Sequence, residues 1–272
     1  MKNDNAIIFI FLDGVGIGKI DHEFNPFFKY GFKTFTSLFG EIPSLEKSTL
    51  VNGNKFLFPT DANLGIDGLP QSGTGQTSIF CGVNAPQIIN QHFGPFPYST
   101  LVPIIEEKNI FKYFLDKGEK VSFVNAYPQQ FFDYINSGKK RLSVTTMSCT
   151  LNKMKLNGYD DLINEEAITA EIINKIWREK LGYELPIITP QKAGEIFLKI
   201  TKQNKFTAYE FFLTDHFGHG RLAGREKEIM QNLDEFLFYV LTNFDDKKGT
   251  IIICSDHGNC EDLSISTHTR NP

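Results

Sequence analysis

The stretch Ala6–Gly18 reads AIIFIFLDGVGIG and places an unbroken apolar run directly before an aspartate. A strand with one solvated face alternates apolar and polar residues, whereas Ala6–Leu12 is apolar at every position. Continuous hydrophobicity favours a strand of a parallel sheet that is covered by helices on both faces. The stretch therefore predicts a central strand of an α/β fold, with Asp13 at its carboxyl end.

Three further runs have the same apolar, β-rich character, and helical periodicity occupies the segments between them. The runs are Lys120–Asn125 (KVSFVN), Phe206–Leu213 (FTAYEFFL) and Thr250–Cys254 (TIIIC). The helical patterns are Pro103–Leu115, Glu165–Leu181 with Asn164 as N-cap, a helix opened by Thr189 and Pro190, and Arg225–Phe244. This alternation predicts a doubly wound α/β fold, in which helices sandwich a mostly parallel sheet. We find no repeat or linker and expect one domain over residues 1–272.

Composition excludes several classes of protein. The chain has 272 residues, 41% of them hydrophobic and 22% charged, which is ordinary for a globular protein with a sizeable core. A net charge of -4 provides no basic field for a nucleic-acid backbone. No apolar stretch approaches the roughly 20 residues that span a bilayer. Four cysteines without a CxxC pair fit a reducing compartment. We therefore expect a soluble, cytoplasmic protein that binds neither nucleic acid nor membrane, with its oligomeric state open.

Aspartate and histidine side chains follow three of the four predicted strands. Asp13 follows the first, Asp215 and His219 follow the third in FFLTDHFGHG, and Asp256 and His257 follow the fourth in IIICSDHGN. In an open parallel sheet, ligands bind outside the carboxyl ends of the strands. The sequence therefore predicts that these side chains converge on one edge of the sheet, where His268 is expected to join them.

Several carboxylates packed at one edge repel one another unless cations lie between them. Mixed aspartate and histidine ligands suit zinc, manganese or iron better than calcium. Three aspartates and three histidines exceed the four ligands of one zinc ion. Two divalent ions, at the separation of about 3.5–4 Å that is usual in two-metal sites, would use them all.

The glycine-rich stretch Gly68–Gly82 reads GLPQSGTGQTSIFCG and leads into an apolar segment. Such a turn can direct backbone N–H groups at an anion, and a following helix adds its positive end. Ser72 or Thr74 is a candidate nucleophile there. A metal-bound hydroxyl loses its proton easily and needs no separate general base.

Together these motifs resemble the alkaline-phosphatase superfamily. They are DGVGIG, LPQSGTGQTS, TDHFGHG, SDHGN and THTRNP, and their order matches that superfamily from Asp13 to the last residue. The most similar branch holds cofactor-independent phosphoglycerate mutase and phosphopentomutase. The resemblance implies an alkaline-phosphatase-like core that binds two divalent metal ions, with manganese and zinc as the main candidates.

The resemblance also implies a role for each site residue. One ion would be held by Asp215, His219 and His268. The other would be held by Asp13, Asp256, His257 and the hydroxyl of Ser72. Ser72 aligns with the nucleophile that takes the phosphoryl group as a covalent intermediate. Thr74, two residues further on, remains the alternative, and no substrate-binding residue is identified.

Some features depart from the mutase pattern. Gln76 stands where the mutases usually have a histidine, and the mutase substrate motif rich in histidine and glycine is absent. Only 142 residues separate Ser72 from Asp215, which leaves little room for a large cap domain. We therefore expect a metal-dependent phosphohydrolase or phosphotransferase that acts on a small phosphorylated or sulfated metabolite. A phosphomutase and a non-catalytic metal-binding relative remain open, and so does a further strand after Pro272, which related chains usually have.

Other candidate residues are expected to lie outside the site. His216 should point away from it, and His22 and His92 belong to no cluster. Cys254 and Cys260 flank the metal motif but are expected to act as small buried hydrophobes. The GVGIG string lacks the third glycine at the spacing of a dinucleotide-binding loop, which argues against a nucleotide cofactor.

Overall fold

The computed structural model describes residues 5–139 and 141–272. Its main sheet has four parallel strands in the order β4-β5-β1-β6, and a two-stranded antiparallel hairpin stands apart from it. The main sheet consists of β1 (Ala6–Leu12), β4 (Val121–Phe123), β5 (Phe206–Phe211) and β6 (Gly249–Cys254), and the hairpin of β2 (Leu50–Asn52) and β3 (Lys55–Leu57).

Helices connect these strands and pack on both faces of the main sheet, but the edge strand β6 remains partly exposed, with Ile252 45% and Ile253 38% exposed, contrary to the expectation from its apolar sequence. They are α1 (Pro26–Tyr30), α2 (Lys33–Phe39), α3 (Ser72–Cys81), α4 (Ala85–Ile89), α5 (Val102–Lys108), α6 (Ile110–Leu115), α7 (Gln129–Asn136), α8 (Val144–Leu151), α9 (Tyr159–Ile163), α10 (Lys175–Glu179), α11 (Pro190–Thr201), α12 (Leu213–Gly218) and α13 (Glu226–Asn243). Within the described part of the chain, no helix has both the length and the apolar character needed to cross a membrane.

Strand β1 is buried on both faces between β5 and β6. Its side chains alternate between two apolar cores, as successive residues of a strand must. Ile8 and Ile10 pack with Phe197 of α11 and Phe236 of α13, whereas Phe11 packs on the opposite face with the helices around α3. The prediction of a doubly wound α/β fold is confirmed.

The predicted helix Pro103–Leu115 is interrupted and forms α5 and α6. Asn109 lies between them in an extended conformation and is fully buried. Its carboxamide caps α6 by accepting a hydrogen bond from the Lys112 N–H at 3.0 Å, and it donates another to the Ile105 carbonyl at 2.6 Å. The apolar periodicity of the two helices is continuous, so the break depends on this buried side chain.

The predicted helix Glu165–Leu181 is wrong for most of its length, because only Lys175–Glu179 is helical. Ile172 has a φ angle of 74°, in the left-handed region that a right-handed helix excludes. A tertiary contact holds the segment open, since the Tyr209 hydroxyl hydrogen-bonds to the carbonyl oxygens of Thr169 and Ala170. The Thr169 carbonyl also accepts the Ile172 N–H at 3.0 Å, but this single turn does not continue as an α-helix.

The signals at helix ends give mixed results. Asn164 follows the end of α9 and does not cap a helix start. Thr189 caps α11 as expected, because its hydroxyl accepts a hydrogen bond from the Lys192 N–H at 3.1 Å. The predicted helix Arg225–Phe244 agrees with α13 to within one residue at each end.

We predict that Asn109→Ala lowers the free energy of unfolding by about 1–3 kcal/mol, because it removes a helix cap and leaves buried backbone groups unpaired. Urea unfolding, followed by far-UV circular dichroism, measures this change. Asn54→Ala is the control, since the Asn54 side chain bonds to Asp246 at an exposed position. Equal stability of the two variants would contradict the assigned role of Asn109.

Candidate metal centre

The first ligand group consists of Asp215, His219 and His268. Helix α12 begins two residues after β5, places Asp215 in its first turn and brings His219 onto the same side four residues later. Asp215 Oδ1 lies 3.3 Å from His219 Nε2 and 3.5 Å from His268 Nε2. The two Nε2 atoms are 3.0 Å apart. Three ligand atoms thus converge on one point.

The second ligand group consists of Asp13, Asp256 and His257, and the Ser72 hydroxyl joins it. His257 Nε2 lies 3.4 Å from Asp13 Oδ1, 3.4 Å from Asp256 Oδ2 and 3.0 Å from Ser72 Oγ. All four side chains are buried. The residues come from the ends of β1 and β6 and from the first position of α3, as the strand-end pattern predicts.

The histidine rings are oriented by main-chain carbonyl groups. Each Nδ1 lies against a carbonyl oxygen, which only accepts hydrogen bonds, so each Nδ1 carries a proton. The partners are Ser266 for His219 at 2.9 Å, Pro70 for His268 at 2.7 Å and Gly258 for His257 at 3.3 Å. The Nε2 atom of each ring therefore faces the ligand group, an arrangement typical of metal-binding histidines.

The donor atoms of both groups fit divalent cations. In neutral imidazoles the Nε2 lone pairs would face one another or carboxylate oxygens, which is repulsive without a positive charge between them. Asp13 Oδ1 and both carboxylate oxygens of Asp256 are also buried without a hydrogen-bond partner among the described residues. Buried polar atoms rarely remain unpaired. A cation within each group would satisfy these donor atoms together.

The pKa values show how strongly burial acts at this centre. Burial raises the pKa of Asp256 to about 7, and burial with the nearby charges of Asp256 and Asp215 raises the pKa of Asp13 well above its usual range. Burial lowers the pKa of His257 to about 3. Burial alone would raise the pKa of Asp215, but hydrogen bonds from His268 and Asn259 lower it. In the absence of metal, protons therefore neutralise part of the carboxylate charge.

The two ligand groups are neighbours. The His257 and His268 rings stack with centroids 3.6 Å apart and an angle of 13° between their planes. His257 belongs to the second group and His268 to the first, so the two ligand groups are in contact through these stacked rings. The structure thus brings together all seven side chains that the resemblance implies as metal ligands.

Thr74 lies outside this cluster, although it is only two residues from Ser72. It is fully buried, and its hydroxyl donates to the Gln71 carbonyl at 3.1 Å. The same hydroxyl accepts a hydrogen bond from the Phe93 N–H at 3.3 Å. The neighbouring Gly75 allows α3 to approach the centre, since a Cβ atom there would lie 2.8 Å from Asp256 Cβ. Thr74 therefore fixes the start of the helix against the loop at residue 93.

Gly16 and Gly18 of the GVGIG string make room for Glu261, whereas Gly14 lies against Asp215. Glu261 is 2% exposed and accepts hydrogen bonds from the Asn259 N–H at 2.7 Å and from the Thr269 hydroxyl. A Cβ atom on Gly16 would lie 2.5 Å from Glu261 Oε1, and one on Gly258 would also clash with this carboxylate. Glu261 therefore connects three loops that carry Asp13, the Asp256–His257 pair and His268. This packing explains why glycines occur in the GVGIG string, and no nucleotide is needed to explain them.

The sequence did not predict the roles of four polar residues near the centre: Gln76, which was noted only as a departure from the mutase pattern, Glu210, Asn259 and Glu261. Glu210 lies inside the otherwise apolar β5, and burial raises its pKa to about 7. Its carboxylate accepts a hydrogen bond from the Thr145 hydroxyl, and its charge contributes to the raised pKa of Asp13. Glu210 could have been identified from the sequence, because it is a charged residue within a strand that is otherwise apolar. The partners of the other three residues depend on the folded loops.

The remaining histidines and cysteines lie outside both ligand groups. The His216 ring contacts Phe212, and burial lowers the pKa of His216. His22 and His92 hydrogen-bond to main-chain carbonyl oxygens elsewhere in the chain. Cys260 is fully buried in the apolar core, and burial raises the pKa of its thiol.

Comparisons with known proteins agree with this architecture. A family model described as the Metalloenzyme superfamily matches residues 5–272. The structure is similar to that of the PH0037 protein from Pyrococcus horikoshii, with a TM-score of 0.53 and 12% identity over 100% of this chain and 84% of that chain. It is also similar to alkaline phosphatase from the Antarctic bacterium TAB5, with a TM-score of 0.53 and 13% identity over 93% of this chain and 79% of that chain. Identities this low show a common fold alone. Comparison with curated proteins finds no match.

We predict that stabilisation by metal increases with pH. Because the pKa of Asp256 is raised to about 7 from 3.8, this carboxyl group binds more protons in the folded metal-free protein than in the unfolded chain between these two values. This group therefore lowers the stability of the metal-free protein as the pH rises towards 7, whereas the ionised form binds metal. The difference in Tm between metal-replete and metal-free protein should grow from about pH 5.5 to 8. A difference that does not change with pH, or that changes equally in Asp256→Asn, would contradict this explanation.

We also predict that Gly16→Ala destabilises the protein by about 1–3 kcal/mol, because the new methyl group overlaps the Glu261 carboxylate. The readout is the free energy of unfolding of metal-replete protein. Gly158→Ala is the matched control, since a Cβ atom there would lie 3.5 Å from Phe132, an ordinary contact. A Gly16 variant as stable as this control would show that Glu261 does not restrict the loop.

Proposed function

Because this chain belongs to the Metalloenzyme superfamily, we propose that it is a two-metal phosphohydrolase or phosphotransferase with Ser72 as the nucleophile. Its substrate would be a small phosphorylated or sulfated metabolite. The observation that carries the proposal is the position of Ser72 Oγ, which lies 3.0 Å from His257 Nε2 inside the second ligand group. Metal coordination is one of the ways in which a serine hydroxyl is activated as a nucleophile, and this position would allow it.

Seven side chains would hold the two ions. Asp215, His219 and His268 offer one oxygen and two nitrogen atoms, a donor set that suits zinc. The remaining ligands, Asp13, Asp256, His257 and the Ser72 hydroxyl, are richer in oxygen, which suits manganese as well. When bound, the ions supply positive charge that stabilises an anionic nucleophile and the phosphoryl oxygens.

Residues of this chain would orient the substrate and the nucleophile. Ser72 is the first residue of α3, and the first N–H groups of a helix have no acceptor within the helix. The Thr74 N–H already donates to the Phe93 carbonyl at 2.9 Å, so the N–H groups that could face a substrate are those of Ser72 and Gly73. These groups and the positive end of the helix favour a phosphoryl group directly in front of Ser72. In the transfer step, Ser72 Oγ would release its proton to solvent and form a bond to phosphorus, while the bond from phosphorus to the leaving oxygen breaks and that oxygen takes up a proton from solvent. Attack of water on the phosphoserine then regenerates the hydroxyl and releases phosphate.

Transfer to water is favoured over mutase chemistry by the arrangement of the chain around the site. The segment between α3 and β5 contains α5, α6 and α8, which pack on the sheet in the same apolar core as Phe80 of α3. We propose accordingly that residues 1–272 form one domain without a large cap over Ser72. We also place the enzyme in the cytoplasm, where the four free thiols fit the reducing conditions.

The proposal predicts that Ser72→Ala reduces turnover to background while the protein still binds divalent ions. Phosphate release from generic phosphomonoesters and phosphodiesters, and sulfate release from sulfate esters, should be measured after loading with manganese or zinc. Metal content by elemental analysis gives the second readout. Thr74→Val is the control, because it removes the hydroxyl of the alternative nucleophile and should retain turnover in proportion to the folded fraction.

Three outcomes would overturn the proposal. Full turnover in metal-replete Ser72→Ala would exclude Ser72 as nucleophile. Isomerised product without free phosphate would identify a phosphomutase. Two bound ions without turnover of any of these esters would identify a non-catalytic metal-binding relative.

A further inference from the structure

We propose that Gln76 and Asn259 are positioning residues, each of which fixes the aspartate ligand of one metal ion through a neutral carboxamide. Gln76 would serve the second ligand group through Asp13, and Asn259 the first through Asp215. This inference rests on the metal centre of the proposed function, but it concerns metal affinity and not turnover.

Gln76 approaches the second ligand group from the same face of α3 as Ser72. The two residues are four positions apart, which places their side chains on one side of the helix. Gln76 is 3% exposed, and its Nε2 donates a hydrogen bond to Asp13 Oδ2 at 3.1 Å. Asp13 Oδ1 is thereby left facing His257 Nε2 at 3.4 Å. The amide thus decides which carboxylate oxygen of Asp13 points to the ion.

Asn259 contacts the aspartate of the first ligand group, but it binds Asp215 Oδ1, the oxygen that faces His219 and His268, whereas Gln76 binds the Asp13 oxygen that faces away from its group. It is fully buried, and its Nδ2 donates to Asp215 Oδ1 at 2.9 Å and to the Asp215 main-chain oxygen at 3.4 Å. Gly218 makes this position possible, since a Cβ atom there would lie 2.5 Å from Asn259 Cγ. The glycine in TDHFGHG therefore leaves space for an amide that comes from another loop.

A carboxamide is suited to this position because it donates a hydrogen bond without changing the charge of the ligand group. A lysine or arginine would neutralise the aspartate and compete with the metal ion. Another carboxylate would add to the repulsion between Asp13 and Asp256, whose carboxylate oxygens both lie 3.4 Å from His257 Nε2. A neutral N–H donor avoids both effects.

The orientation of both amides is set by the carboxylates, which only accept hydrogen bonds. Each side chain therefore turns its NH₂ group to an aspartate. The carbonyl oxygens, Gln76 Oε1 and Asn259 Oδ1, are buried and have no hydrogen-bond partner among residues 5–139 and 141–272. The N–H contact with the aspartate is thus the main polar interaction that places each amide.

The test is isothermal titration of metal-free protein with Mn²⁺ and, separately, with Zn²⁺ under chelator competition. Gln76→Met and Asn259→Leu keep the approximate volume of each side chain but remove the donor. Each should lower the affinity of one ion about 10–100-fold and leave the other affinity unchanged, as is typical when the hydrogen-bond partner of a metal ligand is lost. Gln191→Met is the matched control, because the Gln191 amide bonds to Glu235 on the surface.

A background variant assigns each effect to its group. His219→Ala removes a ligand of the first group. In this background Gln76→Met should still weaken binding of the ion in the second group, whereas Asn259→Leu should cause little further loss of metal affinity. Circular dichroism of the metal-free variants reports folding. If Gln76→Met does not fold, it is replaced by Gln76→Asn, in which the amide is withdrawn by one methylene. If Asn259→Leu does not fold, it is replaced by Asn259→Ala.

The outcomes separate this inference from the proposed function. A wild-type protein that binds two ions, with variants that weaken both sites equally or neither, would overturn the positioning roles alone. A wild-type protein that binds no divalent ion would overturn the metal centre and this inference with it. Loss of one affinity per variant supports the inference whether or not any ester is hydrolysed.

Discussion

Burial of negative charge at the ends of parallel strands is the constraint on which this structure depends. Asp13 and Asp256 are almost completely buried and retain carboxylate oxygens without a hydrogen-bond partner among the described residues. In a medium of low dielectric constant such groups are costly unless a positive charge lies beside them. Protons meet part of this need when metal is absent, which is why the pKa of Asp256 is raised to about 7. A divalent ion would meet it more completely, because several donor atoms converge in each ligand group.

The surrounding structure holds those donor atoms in place. Main-chain carbonyl groups orient the three histidine rings, and the first turn of α3 carries Ser72 into the second ligand group. Glu261 then connects the loops that follow β1 and β6 with the segment after His268. Most of these contacts use backbone or buried side chains, so the geometry is largely formed before any ion binds. Such preorganisation is what a catalytic metal site requires.

The sequence predicted the parts of this protein that local pattern determines. The unbroken apolar run of β1 and the aspartate or histidine residues after β1, β5 and β6 were sufficient to locate the ligand edge, because parallel strands end together. The helix expected over 165–181 was wrong because the Tyr209 hydroxyl binds the carbonyl oxygens of Thr169 and Ala170. Gln76 and Asn259 could not be identified, since their partners are distant in sequence and meet them only in the folded chain.

The packing of Glu261 against Gly16, Gly18 and Gly258 has a consequence for how this protein can evolve. A Cβ atom on Gly16 would overlap the Glu261 carboxylate, whereas one on Gly18 would also meet the Asn25 amide and the Glu261 main chain, and one on Gly258 would also meet the Thr269 hydroxyl. A shorter residue at position 261 would therefore release space at Gly16 but would also free the loops that the carboxylate connects. Substitutions at positions 16 and 261 are therefore coupled, and they should appear together in divergent homologues rather than one at a time. A pattern of correlated change at these two positions would be the record of this steric dependence.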